Sequence, residues 1–140
     1  RLEPMLHGGG QERNWRPSTL NTPAIVGFGK AASLISEEIK EERIRQTKLR
    51  DYFWQQLQVL GDVTLNGHPM DRLPNNINVS FERMEGQAIL LELNRKQIYV
   101  SSGSACSAGK HAPSHVLMAM GNDLDRAYQS LRFTLGRETS

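Results

Sequence analysis

Residues 75–81 read "NNINVSF", and this stretch decides the fold because its apolar side chains occupy every second position. Ile77, Val79 and Phe81 would share one face of a half-buried β-strand, with the polar residues on the other face. An α+β fold, a small sheet with helices on one face, is indicated by the order of the surrounding segments. These are a strand in "VTLNG" (63–67), a helix in "EGQAILLELNRK" (85–96), a strand in "IYVSS" (98–102), helices in "PSHVLMAMG" (113–121) and "DLDRAYQS" (123–130), and a strand in "LRFTLG" (131–136).

A long helix is predicted before this sheet, from Pro23 to about Leu60. Thr22 is a good N-cap, proline suits the first helical position, and Gly61 ends the helical spacing of apolar residues. At about 1.5 Å per residue the helix would be longer than roughly 50 Å. It therefore either kinks near Glu41 or joins two domains.

The residues before this helix are predicted to form a loop. Gly8–Gly10 and Pro17 disfavour regular structure there. The glycines indicate a flexible turn, or alternatively a backbone path close to a ligand or another chain.

Composition excludes several classes of protein. The 140 residues are 38% hydrophobic and 23% charged, which is typical of a globular domain. A net charge of +2 without a Lys/Arg-rich run argues against nucleic acid. No apolar stretch approaches the ~20 residues that cross a bilayer, and the start has no signal-peptide pattern. The single cysteine excludes an internal disulfide and is compatible with a reducing compartment. The four histidines are too scattered for a zinc site.

The only cysteine, Cys106, lies in "SSGSACSAGKHAP", residues 101–113, among small side chains that would leave a thiol accessible. Lys110 and His111 could supply the positive charge that favours a reactive thiolate. A cysteine-protease interpretation needs a partner histidine, and His111 and His115 are present without a family signature around them. The plain alternative is an ordinary α+β domain with a buried, inert cysteine.

Arg132 is unusual because it stands between apolar residues on a predicted strand. Leu131 and Phe133 would point to one face of the sheet, and Arg132 to the other. Its guanidinium then either faces solvent or binds a carboxylate in a bidentate manner.

Four segments, in this order and at this spacing, resemble the cysteine desulfurases: "HGGGQER…RPSTLNTPAIVGFGKA", "LPNNINVSFERMEG", "VSSGSACSAG…PSHVLMAMG" and "SLRFTLGR". These are pyridoxal-phosphate enzymes that take sulfur from L-cysteine. The short cysteine segment resembles the branch that contains the nitrogen-fixation and iron–sulfur-assembly enzymes. The resemblance implies the small C-terminal domain of an aspartate-aminotransferase-like (fold type I) enzyme, preceded by a long connecting helix. Residues 1–22 would end the large domain, 23–60 form the connecting helix, and 61–140 form the small domain.

The resemblance also implies roles for individual residues. Cys106 would be the nucleophile that accepts sulfur, leaving an enzyme persulfide and alanine. Arg132 would bind the substrate carboxylate, and Thr19 would reach the cofactor phosphate of the other subunit in a homodimer. No intrinsic metal site is implied, although Cys106 could transiently ligate an iron–sulfur cluster. The implied partners are L-cysteine and a sulfur-acceptor or iron–sulfur scaffold protein, with no nucleic acid or membrane, in the cytoplasm.

The chain departs from the family pattern at several points. Asn14-Trp15 and Pro17 replace glycine and small residues, and Lys110-His111-Ala112 replaces a more acidic stretch. The lysine that binds the cofactor is expected upstream in a histidine-lysine motif, and a final helical tail is expected after Ser140. None of the lysines of this chain lies in a histidine-lysine motif; they are Lys30, Lys40, Lys48, Lys96 and Lys110. We therefore expect this chain alone to be inactive. The alternative is a non-enzymatic sulfur-relay or scaffold-binding module that carries persulfide on Cys106.

Overall fold

The computed structural model describes residues 3–103 and 112–140 of the chain. It separates into two units, Arg1–Ile39 and Lys40–Ser140, and the division falls inside the long helix. The strands are β1 (Gly10–Gln11), β2 (Arg16–Pro17), β3 (Val63–Leu65), β4 (Asn76–Phe81) and β5 (Ser130–Thr134). The helices are α1 (Thr22–Gln58), α2 (Gly86–Arg95), α3 (His115–Ala119) and α4 (Leu124–Tyr128). The predicted mixture of a long helix and a small sheet is confirmed.

The long helix α1 is one helical element that includes Glu41, and the alternatives of a kink near Glu41 or a connection between two domains stay predictions. At its start the Asn21 side chain accepts a hydrogen bond from the Ala24 N–H, at 3.2 Å. At its end the chain leaves the helix through Gly61, whose φ of 68° lies in the left-handed region that glycine adopts without strain. The last helical residue is Gln58, slightly before the predicted end.

Unit 2 is built on an antiparallel sheet in the order β3-β4-β5. The alternation in β4 places Ile77 and Val79 on one face, where they are 1% and 0% exposed. They pack there with Leu57 of α1. Phe53 of α1 meets Phe133 of β5 edge to face, with ring centroids 5.0 Å apart. Burial of each such aliphatic side chain contributes about 1.5–3 kcal/mol, which holds α1 on the apolar face.

The second face of the sheet is polar and is covered by α4. Ser80, only 1% exposed, donates from Oγ to the carbonyl of Arg126 in α4, at 2.8 Å. The sequence predicted helices on one face only, and this detail is wrong. A helix covers the polar face because hydrogen bonds there replace apolar packing.

The two short helices begin at side-chain caps. Ser114 Oγ accepts from the Leu117 N–H at 3.5 Å, and Asp123 Oδ1 accepts from the Arg126 N–H at 2.8 Å. Both helices are shorter than the segments predicted for them.

The predicted strand at 98–102 does not form. The Ile98 N–H donates to the Leu93 carbonyl at 2.9 Å, so this part of the chain remains bonded to the end of α2. Only Ser101 pairs with the sheet, in an isolated antiparallel bridge to Arg132.

Unit 1 contains a small hairpin where the sequence predicted only loop. β1 and β2 pair antiparallel, and Glu12, Arg13 and Asn14 turn the chain with φ of 49°, 56° and 65°. Three consecutive residues with positive φ are unusual, and asparagine tolerates this region better than most residues. A Cβ on Gly10 would overlap the Asn14 side-chain oxygen, so a larger residue at that position would displace the Asn14 side chain.

The last residues of the chain are held against α1. Arg45 donates from Nη1 to the Thr139 carbonyl at 2.5 Å and from Nη2 to the Gly136 carbonyl at 3.0 Å. Its guanidinium is paired with Glu42 at 2.7 Å.

None of the helices in the described part of the chain has the length and apolar character needed to span a membrane.

Candidate functional site

Arg132 lies on the polar face of the sheet, as the alternation in β5 predicted. Its neighbours Leu131 and Phe133 point to the apolar core, and Arg132 itself is half-buried. In the register of the sheet it stands opposite Asn78 of β4. Its side chain reaches the Ser101 hydroxyl, with Nη2 at 3.5 Å from Oγ.

The backbone hydrogen bonds of Arg132 determine how close its side chain lies to that of Asn78 on the neighbouring strand. Its N–H donates to the Ser101 carbonyl at 2.7 Å, and the Ser101 N–H donates to its carbonyl at 3.1 Å. Both backbone groups of Arg132 therefore point away from β4. Asn78 and Arg132 form a non-hydrogen-bonded pair, the type in which opposing side chains lie closest.

The Arg132 guanidinium has no acidic partner in the described part of the chain. Its hydrogen bond to Ser101 is long and involves a neutral hydroxyl. Salt bridges among the described residues include those of Glu42 with Arg45, Asp51 with Arg50 and Glu92 with Arg95, and none of these involves Arg132. A half-buried guanidinium with free donors suits a carboxylate, which it can bind in a bidentate manner.

A buried hydrogen-bond network lies next to Arg132 on the same face. Asn66, which follows β3 and is 2% exposed, donates from Nδ2 to Asn78 Oδ1 at 2.7 Å and to Ser80 Oγ at 2.8 Å. Its Oδ1 accepts from Arg126 Nε at 2.8 Å. The network ties β3, β4 and α4 together and holds the Asn78 amide beside Arg132.

A second cation lies at the edge of this network. Arg72 donates from Nη2 to the Asn66 carbonyl at 2.6 Å, while its buried Nε has no hydrogen-bond partner in the described residues. Burial lowers the pKa of the Arg72 guanidinium, and the charge of Arg50 lowers it further, against the opposing effect of Asp51.

The segment that carries the cysteine begins beside Arg132. Ser101 is bridged to Arg132, and Ser102 donates from Oγ to Gln87 Oε1 of α2 at 2.8 Å. Cys106 follows Ser102 by only four positions in sequence, but it lies outside the described residues, as do Lys110 and His111. After the cysteine segment, Ala112 is the next described residue, and it leads to Ser114, the N-cap of α3.

Thr19 belongs to unit 1 and lines an open concavity of about 630 Å³ there. The walls are mostly the glycine segment and the end of the hairpin: Leu6, His7, Gly8, Gly9, Gly10, Gln11, Pro17 and Ser18. Arg16 donates from Nη1 to the carbonyls of Pro17 at 2.8 Å and Ser18 at 3.4 Å, but it is not among the residues that line this concavity. The hydroxyl groups of Ser18 and Thr19 and the side-chain-free backbone of the glycines suit an anionic group such as a phosphate.

The sequence indicated Arg132, Thr19 and Cys106 but missed Ser101, Asn66 and Asn78. Asn78 occupies a polar position in the alternating strand, and that was the only signal it gave. In the described ranges, no cluster of three or more His, Cys, Asp or Glu side chains could hold a metal ion.

Comparison with known proteins places the chain among close relatives. The profile of the aminotransferase class-V family matches residues 2–140. A Methanosarcina thermophila protein named cysteine desulfurase IscS is 49% identical over 137 residues, covering 98% of this chain and 34% of that protein. A NifS-like protein from Rickettsia africae ESF-5 superposes with a TM-score of 0.83 at 33% identity, covering 100% of this chain and 36% of that one. A structure described as SspA in complex with cysteine superposes with a TM-score of 0.60 at 29% identity, covering 96% and 35%. The chain thus spans about a third of the length of these relatives.

Proposed function

Because the chain belongs to the aminotransferase class-V family, we propose that it is the C-terminal part of a cysteine desulfurase. The parent enzyme converts L-cysteine to L-alanine and a persulfide on Cys106, which serves iron–sulfur cluster and thio-cofactor assembly. The names of the relatives and their length, about three times that of this chain, support this proposal. Residues 1–22 then end the large domain, 23–60 connect, and 61–140 form the small domain.

The bridge between Ser101 and Arg132 is the observation that carries the proposal. It joins the start of the cysteine segment to a guanidinium that has no acidic partner in the described residues. A substrate that carries both a carboxylate and a sulfur atom needs one group to hold the first and another to attack the second. Arg132 and Cys106 supply these two groups.

Arg132 holds the substrate by its carboxylate. A charge-assisted hydrogen bond contributes about 1.5–3 kcal/mol, and a guanidinium can form two such bonds to one carboxylate. Binding at the carboxylate leaves the thiol end of L-cysteine directed away from Arg132, toward an attacking group.

Cys106 acts as a thiolate nucleophile on the substrate sulfur. A sulfur–sulfur bond forms as the carbon–sulfur bond of L-cysteine breaks, and the released carbon takes a proton to give alanine. The sum is one cysteine plus one thiol giving one alanine plus one persulfide, so no external oxidant or reductant is needed.

The cofactor is pyridoxal phosphate, as in the family, and Thr19 with Ser18 would hold its phosphate. When bound, this cofactor supplies the electron sink that makes the carbon–sulfur bond of the substrate cleavable. We place the lysine that anchors it in the part of the parent that precedes this chain.

The partners follow from the chemistry of the product. A persulfide is useful only when another thiol or scaffold protein accepts its sulfur, so a sulfur acceptor is required. We also propose a homodimer, in which Thr19 serves the site of the other subunit, and a cytoplasmic location.

The test uses the full-length parent, expressed from the reading frame that contains this chain and loaded with pyridoxal phosphate. With L-cysteine it should release alanine and carry one extra sulfur atom on Cys106, seen by mass spectrometry. The Cys106→Ser variant should still bind L-cysteine but release no alanine. A parent that releases no alanine from L-cysteine refutes the proposed activity.

A further inference from the structure

We propose that Asn78 is a second binding residue for the substrate carboxylate, donating a hydrogen bond from Nδ2 to the same carboxylate that Arg132 binds. Asn66 is the positioning residue that orients the Asn78 amide. This inference rests on the proposed function, because it concerns the carboxylate of L-cysteine at that site.

Asn78 and Arg132 are close neighbours in the sheet. Asn78 and Arg132 stand opposite each other in neighbouring strands. They form a non-hydrogen-bonded pair, because the backbone of Arg132 bonds to Ser101 and the Asn78 carbonyl bonds to Asn66, at 2.9 Å. In such pairs the Cβ atoms are about 4.5–5.5 Å apart and the side chains leave the sheet on the same face. One carboxylate therefore has room to contact both side chains.

The orientation of the Asn78 amide follows from a chain of hydrogen-bond donors and acceptors. Arginine can only donate, so the Asn66 atom that faces Arg126 Nε at 2.8 Å is the oxygen. The other end of the Asn66 amide is then the nitrogen, and the Asn78 atom that it meets at 2.7 Å is the oxygen. The Asn78 nitrogen is left as a donor that points away from Asn66.

The Nδ2 donor of Asn78 is free among the described residues. Within residues 3–103 and 112–140, Asn78 Nδ2 makes no hydrogen bond, and it is not among the fully buried polar atoms that lack a partner. Beside it the Arg132 guanidinium also lacks an acidic partner in the same residues. Two adjacent groups that only donate favour an anion with two acceptor oxygens, and they disfavour a ligand that must donate in return.

The rigidity of the network makes the arrangement specific. Asn66 is 2% exposed and uses its oxygen for Arg126 and its nitrogen for both Asn78 and Ser80. Reversing its amide would break all three hydrogen bonds. The donor of Asn78 is therefore fixed before the substrate arrives, which reduces the entropy lost on binding.

The experiment compares L-cysteine with cysteamine, which has the same thiol and amine but no carboxylate. Binding of each is measured by calorimetry on the holo parent with Cys106→Ser, in which turnover is blocked. Asn78→Ala should weaken L-cysteine binding roughly tenfold, the effect of one hydrogen bond to a charged group, and leave cysteamine binding unchanged. Asn78→Asp should weaken it more, because a negative charge then faces the carboxylate.

The matched control is Asn76→Ala. Asn76 lies on the same strand and the same face, two positions away, and pairs with Thr134 instead of Arg132. It should leave the binding of both ligands unchanged. Asn78→Asp keeps the size of the side chain and the acceptor for Asn66, so it serves as the second variant if Asn78→Ala does not fold.

The outcomes separate this inference from the proposed function. If the unsubstituted parent releases alanine but the Asn78 variants bind L-cysteine as tightly as it does, Asn78 does not contact the carboxylate. If they lose L-cysteine and cysteamine binding equally, Asn78 has only a structural role, and the inference is wrong. If the unsubstituted parent neither releases alanine nor prefers L-cysteine to cysteamine, the proposed function fails and this inference fails with it.

Discussion

Replacing Gly86 with alanine should destabilise unit 2 by forcing α2 away from β5. Gly86 is buried at the first position of α2. An ideal Cβ there would lie 2.5 Å from the Ser130 carbonyl oxygen and 3.0 Å from the Tyr128 carbonyl oxygen. These atoms belong to the backbone, so they cannot rotate away. Favourable contacts of a carbon atom occur at about 3.5–4.0 Å, so the helix must shift by about 1 Å.

Two opposing effects set the size of the change. Overpacking of this kind costs about 1–3 kcal/mol. Alanine is a better helix former than glycine by up to about 1 kcal/mol, which offsets part of that cost. The clash outweighs the gain in helix propensity, and we expect a net loss of about 1–2 kcal/mol. The shift also carries Gln87, which holds Ser102 at the start of the cysteine segment.

Urea denaturation followed by the fluorescence of Trp54, which packs against the core, measures the change. With a slope near 2 kcal/mol/M, the midpoint should fall by about 0.5–1 M at unchanged slope. Gly29→Ala is the control, because an added Cβ on that helical glycine meets no atom within 4 Å. Gly29 lies in unit 1, and alanine there should not lower the midpoint of the unit 2 transition. If Gly86→Ala leaves the midpoint unchanged or raises it, the close approach of α2 to the β5 backbone is not real.

In the hairpin, Gly10→Ala should reduce the amide protection of β1 and β2, because its Cβ overlaps the Asn14 side chain. Adding Asn14→Gly should restore that protection, and equal losses in the single and double variants would contradict the contact. At the end of the chain, Arg45→Ala should shift the amide NMR signal of Thr139, whose carbonyl Arg45 binds. Lowering the pH should have the same effect. The hydrogen bond from Arg45 holds the pKa of Glu42 below its ordinary value of 4.5, so the pairing is fully present above pH 4.5 and is lost only as the pH falls through that lowered pKa. A Thr139 signal that is insensitive to acid down to the unfolding of the protein would show that the pairing does not hold this turn.

The sequence predicted the elements whose signals are local. α1 followed from its proline and its apolar spacing, and β4 followed from strict alternation. The predicted N-cap of α1, Thr22, is wrong, because Thr22 is already helical and Asn21 caps the helix. The hairpin of unit 1 was missed because its strands are only two residues long and its turn uses Glu12 and Arg13 in a conformation that neither residue favours. The strand predicted at 98–102 failed because hydrogen bonds to the end of α2 compete for that backbone.

In the candidate site, too, features with a local sequence signal were predicted, and features that depend on distant parts of the chain were not. Alternation placed Arg132 on the polar face, and this prediction is confirmed by the register, which sets Arg132 opposite Asn78 and its neighbours opposite Val79 and Ile77. The partnership of Asn66, Asn78 and Arg126 could not be predicted, since it depends on the register of strands that are far apart in sequence. The roles assigned to Cys106, Arg132 and Thr19 stay predictions.

The fate of sulfur in a single turnover tests the central claim most directly. The full-length parent, loaded with pyridoxal phosphate and with its cysteines reduced, is mixed with one equivalent of L-cysteine in the absence of an acceptor. Alanine is quantified while peptide mass spectrometry locates the sulfur. We predict one alanine for each persulfide on the peptide that contains Cys106, and neither product from Cys106→Ser. Alanine released at the parental rate by Cys106→Ser, or sulfur carried elsewhere in the parent, would contradict the account.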